Sequence, residues 1–137
     1  MRRFLLIAAT LLALGGCLNG ADSKKVDDAT SRVFAQIQSK QFDVIYDEAA
    51  PEFQNSMSKD VFIGLMTRVG RKLGACPTPK QPIAWHVNTT TNGYFSTRNY
   101  VAACANGQLT QSVTIVLRNG QAKLAGYYVG SPLLLTD

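Results

Sequence analysis

The sequence predicts an α+β domain, with N-terminal helices packed on a C-terminal four-stranded antiparallel meander. Three observations carry that reading. Apolar residues recur at helical spacing from Val26 to Leu73, and the period drops to two beyond the stretch GACPTPKQP. Three Asn-Gly pairs, starting at 92, 106 and 119, then punctuate the chain. Helices followed by a run of hairpins pack as a helical layer on one face of a sheet.

The first element is an export signal. Met1-Arg2-Arg3 is positive, and Phe4 to Leu14 is apolar apart from Thr10, a basic head before a short apolar middle. The run is too short for a spanning helix, which needs ~20 residues. Leu14-Gly15-Gly16-Cys17 resembles a bacterial lipobox. The resemblance implies cleavage before Cys17, a diacylglyceryl thioether on its sulfur and an N-acyl chain such as palmitate. Two or three acyl chains hold a protein stably on a bilayer. The bland alternative is an ordinary signal with an incidental cysteine. The organisation expected is a signal peptide over 1–16, a tether over 17–25, one domain over 26–131 and a tail over 132–137. Leu18 is not the aspartate that retains enteric lipoproteins at the inner membrane. The resemblance therefore favours the periplasmic side of the outer membrane.

The domain opens with a helix over about 24–39, on which Val26, Ala29, Val33 and Ile37 share a face. Phe42, Ile45, Tyr46 and Ala49 give a short second helix, and Pro51 stops it. A third helix spans about 58–73, with Ser58 as N-cap, Arg71 and Lys72 in the last turn and Gly74 just beyond. Strands follow over about 82–89, 94–104, 110–118 and 121–129, joined by the Asn-Gly pairs, whose residues both tolerate positive φ.

The chain has three cysteines. Assigning Cys17 to lipid leaves Cys76 and Cys104, which export places in a compartment where disulfides persist. The alternative is a pair of buried thiols acting as small hydrophobes. Net charge is +5, and loss of Arg2 and Arg3 with the signal brings it to +3. Acids concentrate in 22–60, and beyond Asp60 the only one is Asp137. No basic stripe with interleaved aromatics argues for nucleic acid.

The order of elements, with QFDVIYDEAAPEFQNSMS early and GQAKLAGYYV at the last strand, resembles small bacterial lipoproteins and secreted domains of the cystatin-like group. That group is related in shape to nuclear transport factor two. It implies a sheet curled round a long helix, often with a conical pocket. Some members are isomerases or dehydratases, which use an acid and a tyrosine inside the cone. Here Tyr94, Tyr100, Tyr127 and Tyr128 fall in strands, but no Asp or Glu does. His86 is the sole histidine and alternates away from Ile83, Trp85 and Val87, so neither a catalytic role nor a zinc set is expected. Asp43, Asp47, Glu48 and Glu52 read as a solvated helix face. No cofactor or metal is expected.

Fold alone does not license a function. The leading expectation is a non-enzymatic envelope lipoprotein, held on the membrane through Cys17, whose domain binds an envelope protein partner. The second is a binder of a small apolar ligand, in a pocket lined by Trp85, Tyr100, Tyr127 and Tyr128. An isomerase-like enzyme comes last.

Overall fold

A computed structural model describes residues 20–137. Cys17 and the stretch expected as a signal peptide fall outside the described residues. Four helices, α1 (Gly20–Gln38), α2 (Phe42–Glu48), α3 (Pro51–Ser56) and α4 (Lys59–Leu73), precede four strands. These are β1 (Ala84–Thr90), β2 (Gly93–Cys104), β3 (Gly107–Arg118) and β4 (Gln121–Gly130), with a closing 3-10 turn at Pro132–Leu134. The strands pair antiparallel in the order β1-β2-β3-β4. The α+β architecture is thus as the sequence predicts, and it is compatible with the cystatin-like resemblance.

The helical layer departs from expectation in two places. Helix α1 is already formed at Gly20, so residues 20–25, expected as tether, are helical. The i,i+4 pair Lys24–Asp28, at 2.6 Å, spans its first turns, and such pairs support an exposed helix modestly. At the other end of α1, Lys40 adopts φ 57. The Gln41 N–H donates to the Gln36 carbonyl and the Lys40 N–H to the Ile37 carbonyl, which closes the last turn as a Schellman motif. Pro51 does end α2, but it also starts α3, where its fixed φ suits the first helical position and its missing N–H costs nothing. Helix α4 matches expectation: the Ser58 hydroxyl accepts from the Val61 N–H at 3.3 Å, and Gly74 leaves the helix at φ +70.

Only the last of the three turns has both Asn and Gly in the positive-φ region, at Asn119 and Gly120. In the other two, pairing brings the glycine into the strand: Thr90 faces Gly93 and Cys104 faces Gly107.

One face of the sheet carries Tyr100, Ala102, Leu109, Gln111, Val113, Ile115, Leu124, Tyr127 and Val129, all buried. Phe34 of α1 meets Tyr100 edge-on at 5.0 Å, and Phe62 of α4 packs edge-on against Phe53 at 5.1 Å and Tyr127 at 6.3 Å. Edge-to-face pairs of this kind add about 0.5–1.5 kcal/mol beyond their buried area. Val116, on the other face of the sheet, is also buried.

Cys76, just beyond α4, is disulfide-bonded to Cys104 at the end of β2, with Cα atoms 4.1 Å apart. The same junction is stitched by hydrogen bonds. The Asn106 N–H donates to Leu73 O at 3.0 Å, Asn106 Nδ2 to Lys72 O at 3.2 Å, and the Ala105 N–H to Ala75 O at 2.9 Å. The β2–β3 turn therefore caps the carbonyls that α4 leaves unpaired.

Candidate functional site

Between α1, α4 and the core face of the sheet lies an open cavity of about 430 Å³. Phe34, Phe42, Met66, Val69 and Leu109 supply apolar walls, and the disulfide's Cys76 with Pro77 and Pro79 forms a rim. Two polar side chains, Gln111 and Tyr127, lie at its base, and they satisfy each other. The Tyr127 hydroxyl donates to Gln111 Oε1 at 2.6 Å. Burial pushes the Tyr127 hydroxyl far above its usual pKa, so the phenol stays neutral at physiological pH. Among the described residues, the lining holds no Asp, Glu or His. With Gln38 and Lys40 also in its lining, such a cavity offers apolar contact, one hydrogen-bonded pair and a lysine, the chemistry of a binding pocket.

The structure separates the four aromatic residues expected to line a pocket. Tyr127 lies in the cavity wall. Tyr100 is buried against Phe34, and its hydroxyl is raised by burial, an effect opposed by Arg98. Tyr128 points to the opposite face and is 66% exposed, beside a shallow cleft with Val129, Gly130 and Leu135. Trp85 is 72% exposed on β1, outside the cavity. The lining residues missing from the sequence reading come mostly from helices: Phe34, Phe42, Met66 and Val69. Gln111 carried a signal, because it interrupts the apolar alternation of Leu109, Val113 and Ile115.

Strand β1 is the second notable feature. Every residue in it is exposed. Trp85 and Val87 pair with Arg98 and Ser96, which puts them on the face that carries the core elsewhere. Among the described residues, no helix covers that face over β1. With Ile83, 68% exposed, and Val87, 45% exposed, Trp85 forms an uncovered apolar stripe. The opposite edge is treated differently: α3 packs on β4, and the Ala50 N–H donates to Leu124 O at 2.8 Å.

Three of the four acidic side chains of α2 and α3 pair with neighbours at the surface. Asp47 pairs with Lys59 at 2.9 Å, Glu48 accepts from Gln36 Nε2 at 3.0 Å, and Glu52 pairs with Arg118. The Arg118 hydrogen bond lowers the Glu52 pKa. His86 is exposed on β1. No cluster of three or more His, Cys, Asp or Glu able to hold a metal occurs among the described residues.

No family model matches the sequence, and no curated protein matches it significantly.

Proposed function

We propose that this chain is a bacterial envelope lipoprotein, anchored through acyl chains on Cys17, whose domain is a non-enzymatic interaction or accessory module. The observation that carries the reading is the Cys76–Cys104 disulfide. A structural disulfide fits an exported protein, and it accounts for two of the three cysteines, leaving Cys17 of the lipobox-like LGGC for lipid. The domain's surface and cavity, described above, are suited to binding. The test is expression in a bacterial host with labelled palmitate. The parent chain should incorporate label, start at residue 17 and float with membranes. Cys17→Ser should lose the label and the cleavage, because the thiol is the acyl acceptor. Unlabelled parent protein with another N-terminus would sink the reading.

The open apolar cavity favours a second reading, in which the domain also holds a small apolar molecule. A fluorescent apolar probe should then bind saturably and be displaced by long-chain fatty acids. Val69→Trp, which fills the cavity beside Met66, should weaken the probe at least tenfold in a still-folded protein. Equal probe binding by both proteins would place the probe elsewhere and end this reading.

A further inference from the structure

The exposed stripe on β1 needs an occupant, and the position of α1 narrows the choice. Helix α1 crosses the core face with its first turns over the sheet end that carries the Asn119–Gly120 turn. Arg98 Nη2 donates to Asp27 Oδ1 at 2.5 Å, and a Cβ placed on Gly120 would lie 3.5 Å from Lys25 Nζ. Farther along, Phe34 sits over Tyr100, and Gln38 Nε2 donates to Cys76 O at 2.8 Å at the disulfide end. Asp27 thus lies beside Arg98, the direct cross-strand neighbour of Trp85.

From Asp27 back to Gly20 is about 10 Å of helix, at ~1.5 Å per residue. Cys17 lies three residues before Gly20, a reach of at most about 11 Å even when fully extended. Because the chain is already helical at Gly20, at most three residues separate an acylated Cys17 from the described helix. The anchor holds the α1 N-terminus close to the bilayer surface, and the stripe lies about two helical turns back from it, with Trp85 and Val87 paired to Arg98 and Ser96 where Asp27 reaches the sheet.

The stripe's chemistry fits the same surface. Strand β1, AWHVNTT, carries no carboxylate and no lysine or arginine. With Ile83 just before it, the strand presents one tryptophan and two aliphatic side chains, and tryptophan is enriched where bilayer meets water. A second copy of the chain is a weaker fit. Three side chains expose a few hundred Å² at most, while stable soluble complexes bury about 800 Å² per partner. A membrane contact needs less, because the acyl chains supply most of the affinity.

The geometry points to β1 as a second membrane contact: Ile83, Trp85 and Val87 enter the interfacial layer of the bilayer that holds Cys17, fixing the domain's orientation on it. This rests on the lipid-anchor reading. Trp85 is the only tryptophan, so its emission reports the contact directly. The acylated full chain is reconstituted into phosphatidylethanolamine/phosphatidylglycerol vesicles, with and without brominated acyl chains. Brominated lipid should quench Trp85 at least twofold. Val87→Asp, at an exposed position, should abolish the quenching while the protein still floats with vesicles and keeps its circular dichroism spectrum. Acylated protein that floats with Trp85 unquenched overturns the proposal. So does a blue shift that grows with protein concentration without bromine quenching, which signals a second copy on β1. Protein with no acyl mass on Cys17 that fails to float removes the anchor reading, and this contact with it.

Discussion

Tyr127 shows how one side chain shapes both the cavity and the response to pH. Its ring is part of the wall, packed edge-on against Phe62, and its hydroxyl donates to Gln111. Burial raises its folded-state pKa well above the unfolded value of 10.0. Above pH ~10 the unfolded chain loses this proton while the folded chain keeps it, so stability falls as pH rises. Tyr100 is raised in the same direction and adds to that limb. Tyr127→Phe should make stability fall less steeply between about pH 10 and 12, leaving the Tyr100 share in place. At neutral pH it should cost about 1–3 kcal/mol, because Gln111 loses its partner in a buried site. Chemical denaturation at pH 7 and pH 11 measures both. An unchanged alkaline limb would contradict the assignment.

At the scale of elements, the sequence was legible wherever one local rule acted alone. Helix α4 carries a cap, an apolar face and a terminal glycine, and all three mark it correctly in the sequence. The strands follow from alternation between Asn-Gly pairs, although the turn geometry does not. The hydrogen-bond register makes Gly93 and Gly107 the first residues of their strands, and register is set between strands rather than within a dipeptide. Helix α3 was hidden because proline reads as a stop from one side and as a start from the other. The cavity was the least legible feature. Its walls come from α1, the start of α2, α4 with the segment after it, and two strands, and nothing local says which buried face will be left partly open. Apolar alternation led to Trp85 being expected in a pocket. It does occupy the core-side face, but α1 lies over β3 and β4 and leaves β1 uncovered. Alternation fixes a residue's face and says nothing of what covers it.

At the scale of the whole molecule, a helical layer of mixed charge lies on a sheet whose charged side chains are basic, and the two are fastened at separate points. Asp27 of α1 pairs with Arg98 of β2, and Glu52 of α3 with Arg118 of β3. At the far end the Cys76–Cys104 bond joins the chain just past α4 to the end of β2. The ion pairs are partly exposed and contribute modestly. The covalent link differs, because it restricts the unfolded chain: a separation of 28 residues corresponds to roughly 3–4 kcal/mol in the chain-entropy model. Cys76→Ser with Cys104→Ser should therefore lower the thermal midpoint by many degrees at pH 7 without changing the circular dichroism spectrum, since the hydrogen bonds of Asn106 to Leu73 and Lys72 remain. Glu52 adds an acid-side signature. Its folded-state pKa lies below the ordinary carboxylate value of 4.5, so its stabilisation is complete above that value and is lost as pH falls through the folded value. A variant with less stability in reserve reaches zero earlier on the same acid limb. The double variant should thus unfold at a distinctly higher pH than the parent when both are titrated from pH 7 to pH 2. Coincident acid transitions and equal melting temperatures would show that the disulfide adds nothing to the attachment of helices to sheet.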